Sequence, residues 1–276
     1  MYFEKIGFAL SPDDRFAVTD TETTNGYIDE NGKLCLTDSF VYDVSVIIVD
    51  GLGNIYDKRK YICDEIFHSP MMKDAFYASK IPEYVESINN KDMIVMPIMN
   101  VYYDFRNFLK KYNVKAIMAH NARFDYRALN NTLRYLTGSK LRYFLPYGLP
   151  IWDTQQMARE TICKRADYIA YCKENGYMTK HAVPRPRETA EILYRYISGN
   201  NDFVEVHKGY DDILIEKEIF VTSTKQYLQD CLSNPAFRAG RPVRRNPHLS
   251  VRMLPRTFSF VSSALSSLIW ISFPFS

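Results

Sequence analysis

The sequence predicts an α/β fold in which a central mixed β-sheet is flanked by α-helices. Two observations support this prediction. Within the first 62 residues, three strand-like apolar runs occur, and a short glycine turn joins two of them as in a hairpin. From residue 115 onward, short apolar runs alternate with segments of helical apolar spacing. A hairpin followed by strand–helix alternation is typical of a mixed sheet covered by helices.

The elements follow from apolar runs and the turn residues that bound them. Strands are expected at residues 15–22, 41–50, 54–62, 115–119 and 149–152. Residues 64–112 are expected to be mostly helical, with loops at 89–92 and around Pro97. Later helices are expected at 123–136, from Asp153 onward, at 187–198 and at 209–232. Asp153 is interpreted as the N-cap of its helix.

The bulk composition permits a sizeable core but does not identify a ligand. Of the 276 residues, 46% are apolar. The formal net charge is +3, yet no acidic residue follows Asp230, and six arginines lie beyond it. Residues 1–230, which do not include those six arginines, carry a formal net charge of −3. The overall balance therefore gives little support to nucleic-acid binding.

The five cysteines favour a reducing, cytoplasmic setting. Their number is odd, no CxxC pair is present, and the first residues do not resemble a signal peptide. A zinc site at Cys163, Cys172 and His181 is an alternative, but the nine-residue spacings match no common ligand pattern.

Residues 1–232 are expected to form one domain, and 233–276 an Arg/Pro-rich and then Ser/apolar tail. The tail is interpreted as disordered or poorly packed. Two other interpretations stay open. Residues 257–276 carry no charge and have the length of a membrane anchor, although seven serines weaken that interpretation. The abrupt change in composition also fits a shift of reading frame near residue 235, which the nucleotide sequence would test.

Three segments carry acidic residues at the ends of elements. Asp20 and Glu22 share one face of a strand with Phe16 and Val18, which mark that face as inward-looking. Alone, such a pair at a strand end is more often simply solvated.

The second segment, His120-Asn121-Ala122-Arg123-Phe124-Asp125, follows the strand at 115–119. Asp125 begins the apolar stripe of its helix, so its carboxylate should face inward and need a partner. Capping of the turn by Asn121 and a favourable helix dipole at Asp125 form an equally good local explanation.

The third segment places His207 five residues before Asp212. Asp212, Ile215 and Ile219 form one helical stripe, and Gly209 permits a close approach at the start of the helix. Asp211 is the reserve candidate if the helical phase is off by one.

Together these segments supply four inward-facing carboxylates, which suits a pair of Mg²⁺ or Mn²⁺ ions. Two such ions can stabilise the attacking and leaving oxygens of a phosphodiester. A nearby imidazole can accept the proton of the attacking water.

The set D-x-E, H-N-x-x-F-D and H-x4-D resembles the DEDDh exonucleases of the DnaQ-like superfamily. Residues 188–220, ETAEILYRYISGNNDFVEVHKGYDDILIEKEIF, are similar to phage-type DnaQ-like exonucleases, as are residues 62–106. The resemblance covers about 1–232 and implies an RNase H-like fold. Asn25 interrupts the usual T-T-G run, and Gly209 stands where alanine is frequent.

The resemblance implies a role for each matching residue. Asp20 would contact both metal ions, Glu22 and Asp212 would complete the first ion's shell, and Asp125 would hold the second. His207 would be the general base. Thr23 would meet the terminal sugar, and Asn121 would support the site.

The implied activity is 3′→5′ hydrolysis of single-stranded nucleic acid to nucleoside 5′-monophosphates, with DNA favoured over RNA. An exoribonuclease of the same superfamily and a non-catalytic nucleic-acid-binding module are the alternatives. A DNA polymerase partner would fit a proofreading subunit, although no binding motif identifies one. A membrane partner is not expected.

Overall fold

The computed structural model describes residues 2–24, 27–28, 34–35, 39–75 and 77–233. The tail expected at 233–276 therefore lies outside the described residues, apart from Ser233. Within the described part of the chain, no helix is long and apolar enough to cross a membrane. The cytoplasmic location stays a prediction.

Eight strands and nine α-helices, numbered in chain order, make up the described structure. The strands are β1 Phe16–Thr23, β2 Tyr27–Ile28, β3 Leu34–Cys35, β4 Val41–Val49, β5 Ile55–Cys63, β6 Ile94–Met96, β7 Ala116–Ala119 and β8 Ile151–Asp153. The helices are α1 Tyr2–Lys5, α2 Asp64–Phe67, α3 Ile81–Asn89, α4 Ile98–Lys111, α5 Arg123–Thr137, α6 Thr154–Glu160, α7 Ala166–Glu174, α8 Ala190–Ser198 and α9 Gly209–Ser233. Short 3₁₀ helices lie at Pro70–Asp74, Ala78–Lys80 and Ile162–Lys164.

Six strands form a mixed sheet in the order β6-β5-β4-β1-β7-β8, and β2 pairs with β3 separately. Within the six-stranded sheet, β4 runs antiparallel to its neighbours β1 and β5, whereas the other three pairs are parallel. This confirms the predicted mixed sheet. The β4–β5 hairpin is also confirmed, and Gly53 in its turn has a φ of 86°, a conformation that glycine adopts without a side-chain clash.

Helices cover both faces of the sheet. On one face, Ala17, Val44 and Ile117 pack with residues of α4 and α5, including Phe105 and Leu129. On the other face, Phe16, Val18 and Ile47 pack against Ile213 and Phe220 of α9. A third cluster joins the outer side of α9 to α6, α7 and α8, so α9 is buried on two sides.

The sequence prediction missed several elements. Residues 94–96 were expected in a helical region but form strand β6, which pairs in parallel with β5. Helices α1 and α7 were not predicted, and α8 begins at Ala190 instead of residue 187. The missed strand is three residues long and ends directly before Pro97, so its pairing with β5 is what defines it.

Candidate active site

Strand β1 carries the first two acids to the edge of the sheet where β1, β7 and β8 end. Asp20 and Glu22 pair across β4 with Ser45 and Asp43, and the register shifts between Glu22 and Thr23. The strand alternates, so Asp20 and Glu22 lie on the α9 side together with Phe16 and Val18. Glu22 is 8% exposed, and Asp20 and Thr23 are half-buried.

Helix α5 directs Asp125 inward, as its apolar stripe predicts. The residue is 4% exposed, and Thr21 Oγ1 of β1 donates a hydrogen bond of 2.9 Å to Asp125 Oδ1. Asn121, in the turn before α5, has a φ of 61° and an exposed side chain. Its backbone N–H donates to Asp153 Oδ1 at 3.1 Å. Asp153 also accepts from Gln155 N at 3.0 Å, which confirms it as the N-cap of α6.

Helix α9 brings the third segment to the same place. Asp212 is 6% exposed, and the half-buried Asp211 instead lines a neighbouring cavity of about 150 Å³. The helical phase is therefore the predicted one, and the reserve candidate is not needed. Glu22, His207 and Asp212 each offer one ligand atom, and these atoms lie within 4.8 Å of one another.

His207 lies in the loop before α9 and is held by a distant segment. Its φ is 53°, and its ring stacks on Tyr77 with centroids 4.7 Å apart and planes inclined by 19°. Lys80 Nζ donates to the His207 carbonyl oxygen at 3.3 Å. Burial and the Lys80 charge lower the pKa of His207. Its imidazole is therefore neutral at pH 7 and able to accept a proton.

All four carboxyl groups have raised pKa values, because burial and neighbouring carboxylates disfavour their ionised forms. Burial and then the charges of Asp125, Glu216, Glu22 and Asp212 raise the pKa of Asp20 well above its usual range. Burial and Asp212 raise the pKa of Glu22 to about 9.

The pKa of Asp125 rises to about 7, chiefly through burial. Burial and Glu205 raise that of Asp212 to about 8. Such shifts arise when burial and neighbouring carboxylates outweigh nearby positive charge, here the Lys80 ammonium, which lowers the pKa of Glu22 and Asp212 only in part.

Glu216 is a fifth buried acid that the sequence analysis missed. It is 3% exposed, and its Oε1 accepts a hydrogen bond of 2.9 Å from His120 N. It lies one turn beyond Asp212 on the inward side of α9, so the spacing of four residues was the available signal. The His120 ring instead contacts Thr154 Oγ1 at 3.1 Å and the Glu188 carbonyl oxygen at 2.8 Å.

Close packing defines the entry into α9. A Cβ atom on Gly209 would lie 3.1 Å from Ser45 Cβ and Oγ and 3.2 Å from Asp43 Oδ1. Asp43 accepts hydrogen bonds from Gly209 N at 3.3 Å and Tyr84 Oη at 3.0 Å. These contacts with β4 side chains explain why a glycine stands at position 209.

The donor set fits hard divalent cations. Asp212 Oδ1 and Glu216 Oε2 are buried and have no hydrogen-bond partner among the described residues. Carboxylate oxygens are the ligands that Mg²⁺ and Mn²⁺ prefer, and cations here would offset the clustered charge.

The alternative zinc site is not assembled among the described residues. Cys163 and Cys172 are buried free thiols, and His181 is exposed. Within the described ranges, the one group of three possible metal ligands is Glu22, His207 and Asp212.

Solved structures of exonucleases are similar in fold to this chain, among them the following three. Escherichia coli exonuclease I with a dA16 oligonucleotide is 13% identical with a TM-score of 0.52, and the match covers 82% of this chain and 45% of that one. The zinc-bound form of E. coli exonuclease I with single-stranded DNA is 14% identical, with coverage of 79% and 43% and a TM-score of 0.51. A 3′-exonuclease that recognises the 3′ end of a histone mRNA stem-loop is 15% identical, with coverage of 79% and 66% and a TM-score of 0.51.

This chain thus spans less than half the length of the exonuclease I chains. No protein-family model matches the sequence, and no curated protein matches it. At these identities the similarity concerns the fold, which is the predicted RNase H-like fold.

Proposed function

We propose that this protein is a metal-dependent 3′→5′ exonuclease that hydrolyses the terminal phosphodiester of single-stranded nucleic acid and releases nucleoside 5′-monophosphates. The observation that carries the proposal is the approach of Glu22, Asp212 and His207 from separate elements to within 4.8 Å. Asp20 and Asp125 complete the acidic cluster around them. We assign the activity to residues 1–232.

Asp20, Glu22, Asp125 and Asp212 would hold two divalent ions, Mg²⁺ or Mn²⁺. Asp20 would be shared by both ions, Glu22 and Asp212 would serve the first, and Asp125 the second. When bound, the ions supply positive charge that stabilises the attacking and leaving oxygens. Thr21 holds the Asp125 carboxylate through its 2.9 Å hydrogen bond.

His207 acts as the general base. Its neutral imidazole accepts the proton of the attacking water, and the stacked Tyr77 ring limits where the imidazole can lie. The partial exposure of the His207 side chain, 38%, leaves it accessible to water and substrate.

Thr23 and Asn121 flank the cluster and are proposed to bind substrate. Thr23 is the last residue of β1 and follows Glu22 directly, which supports the proposal that it contacts the terminal sugar. Asn121 lies in the turn between β7 and α5, where its exposed side chain is available to contact the nucleic-acid strand.

DNA is the proposed substrate polymer, because residues 188–220 resemble phage-type exonucleases. An exoribonuclease is the second candidate, because the similar 3′-exonuclease recognises an mRNA stem-loop. A DNA polymerase partner stays a prediction.

Time courses on single-stranded DNA and RNA of one sequence, each with Mg²⁺, Mn²⁺ or EDTA, test metal dependence and substrate together. We expect degradation with either metal, no degradation in EDTA, and faster loss of DNA than of RNA. Degradation that persists in EDTA would contradict the metal assignment. Faster loss of RNA than of DNA would make RNA the preferred substrate.

A further inference from the structure

The segment that follows β7 carries positive charge with almost no acid. Residues 121–150 contain five basic residues, Arg123, Arg127, Arg134, Lys140 and Arg142. Their one acid, Asp125, is buried in the candidate site. Residues 1–230 as a whole carry a formal net charge of −3, so this segment differs in sign from that part of the chain.

The three arginines of α5 lie on one side of the helix. Positions 123, 127 and 134 fall within about 40° of one another at 3.6 residues per turn. They lie opposite the buried stripe that contains Asp125 and Thr132. Arg123 and Arg127 are exposed, and Arg134 is half-buried.

The loop after α5 folds back beside these arginines. Phe144 N donates to Asn130 Oδ1 at 2.8 Å, and Arg134 Nε donates to the Arg142 carbonyl oxygen at 3.2 Å. The Arg134 guanidinium lies 5.9 Å from the Tyr143 ring centroid, and Tyr143 is 58% exposed. The loop thereby adds Lys140 and Arg142 to the same surface. We call the five basic residues the α5 basic face.

None of these five cations forms an ion pair with a carboxylate among the described residues. Arginines elsewhere do form such pairs, among them Arg59 with Asp57, Arg159 with Glu188 and Arg195 with Glu191. The charge of the α5 basic face is therefore available to an external anion.

The α5 basic face begins at the candidate site. Arg123 precedes Asp125 by two residues and lines a cavity of about 290 Å³ together with Tyr126 and Asp153. From Arg123 to Arg134 the helix advances about 17 Å, at about 1.5 Å per residue. An extended polyanion whose end lies in the candidate site can run along the helix over this length.

We propose that the α5 basic face binds the backbone of the single strand upstream of its 3′ end, with Tyr143 available to stack on a base. This inference rests on the proposed function. A row of cations beside an exposed aromatic ring is the combination that binds single strands without reading their sequence.

The test uses the full chain carrying Asp20→Asn, and it measures binding of fluorescein-labelled dT12 in Ca²⁺ by anisotropy over a range of salt concentrations. The variant Arg127→Glu/Lys140→Glu/Arg142→Glu alters exposed residues only. We expect it to weaken binding by roughly ten-fold or more. The slope of log affinity against log salt concentration should become shallower by about 2, because three phosphate contacts are lost and each contributes about 0.7.

The control Lys91→Glu/Lys164→Glu/Lys173→Glu makes the same change in net charge on other exposed positions. Equal dT12 affinity and salt slope in the two triple variants would overturn the proposal. In the background with Asp20 intact, hydrolysis of the p-nitrophenyl ester of thymidine 5′-monophosphate should be unchanged by the α5 substitutions, because this ester has no upstream phosphate.

The two proposals can fail separately. If the intact chain hydrolyses neither the ester nor dT12 with Mg²⁺ or Mn²⁺, the proposed nuclease activity is wrong. The binding comparison on the Asp20→Asn chain decides the α5 basic face without any turnover.

Discussion

The position of the His207 ring depends on Tyr77, a residue that neither donates nor accepts a proton at neutral pH. Tyr77 stacks on the imidazole, and Lys80 hydrogen-bonds the backbone carbonyl of the same histidine. Burial and the charge of Glu22 raise the pKa of the Tyr77 hydroxyl to about 12, so the phenol stays protonated. The proposed general base is thus positioned by the segment between β5 and α3.

Replacing Tyr77 with alanine should lower kcat more than it changes KM. An aromatic pair contributes about 0.5–1.5 kcal/mol, which corresponds to roughly a two- to thirteen-fold loss of rate if the imidazole loses its position. Steady-state kinetics on a labelled oligonucleotide measures this. Tyr77→Phe keeps the ring and should stay close to the parent chain, whereas an unchanged kcat in Tyr77→Ala would show that stacking does not position the base.

Glu216 combines a hydrogen bond that stabilises the fold with a buried carboxyl group whose pKa burial raises well above its usual range. In EDTA at pH 7, Glu216→Gln should raise the free energy of unfolding, because it keeps an acceptor for His120 N and removes the cost of burying an ionisable group. Glu216→Ala should be less stable than Glu216→Gln by about 1–3 kcal/mol, since it leaves that N–H unsatisfied. Urea titrations compare the two, and equal destabilisation by both variants would refute the charge argument.

At the scale of elements, the junction between α9 and β4 sets how closely the start of α9 approaches the sheet. Gly209 permits this approach because Ser45 and Asp43 occupy the space that a methyl group would need. The same contact sets where the loop that contains His207 joins the start of α9.

Gly209→Ala should therefore reduce the free energy of unfolding by about 1–3 kcal/mol through overpacking. Thermal or urea unfolding in EDTA measures the loss. Adding Ser45→Gly removes the closest contacts, at 3.1 Å, and should recover part of the stability. A Gly209→Ala chain as stable as the parent would mean that the junction relaxes without cost.

At the scale of the whole molecule, the cluster of acids makes stability depend on pH and metal. Asp125, Asp212 and Glu22 have folded-state pKa values of about 7, 8 and 9, above their unfolded values of about 4. The folded state then binds more protons than the unfolded state, so stability falls as pH rises.

In EDTA, the free energy of unfolding should decline between about pH 5 and 9 and level off above that range. Mg²⁺ or Mn²⁺ should raise it most at the alkaline end, where the carboxylates are ionised. Urea titrations at fixed pH, with and without metal, measure both effects. The double variant Asp125→Asn/Asp212→Asn should flatten the decline, and stability that rises with pH in EDTA would contradict the account.

Sequence reasoning recovered those features that depend on local periodicity. The alternation through Phe16 and Val18 placed Asp20 and Glu22 on the α9 side, and helical spacing turned Asp125 and Asp212 inward. Lys80 and His207 are 127 residues apart, so their contact exists only after the sheet and helices pack. Strand β6 was missed for the same reason, because pairing with β5 defines it.

The most direct test of the central claim uses a 20-residue single-stranded DNA labelled at either its 5′ or its 3′ end, incubated with the full chain and Mg²⁺ or Mn²⁺. The account predicts early release of labelled nucleoside 5′-monophosphate from the 3′ end and a ladder that shortens from that end on the 5′-labelled strand. Asp20→Asn and His207→Ala should abolish or severely reduce both. Release from the 5′ end, internal cleavage, or full activity in Asp20→Asn would contradict it.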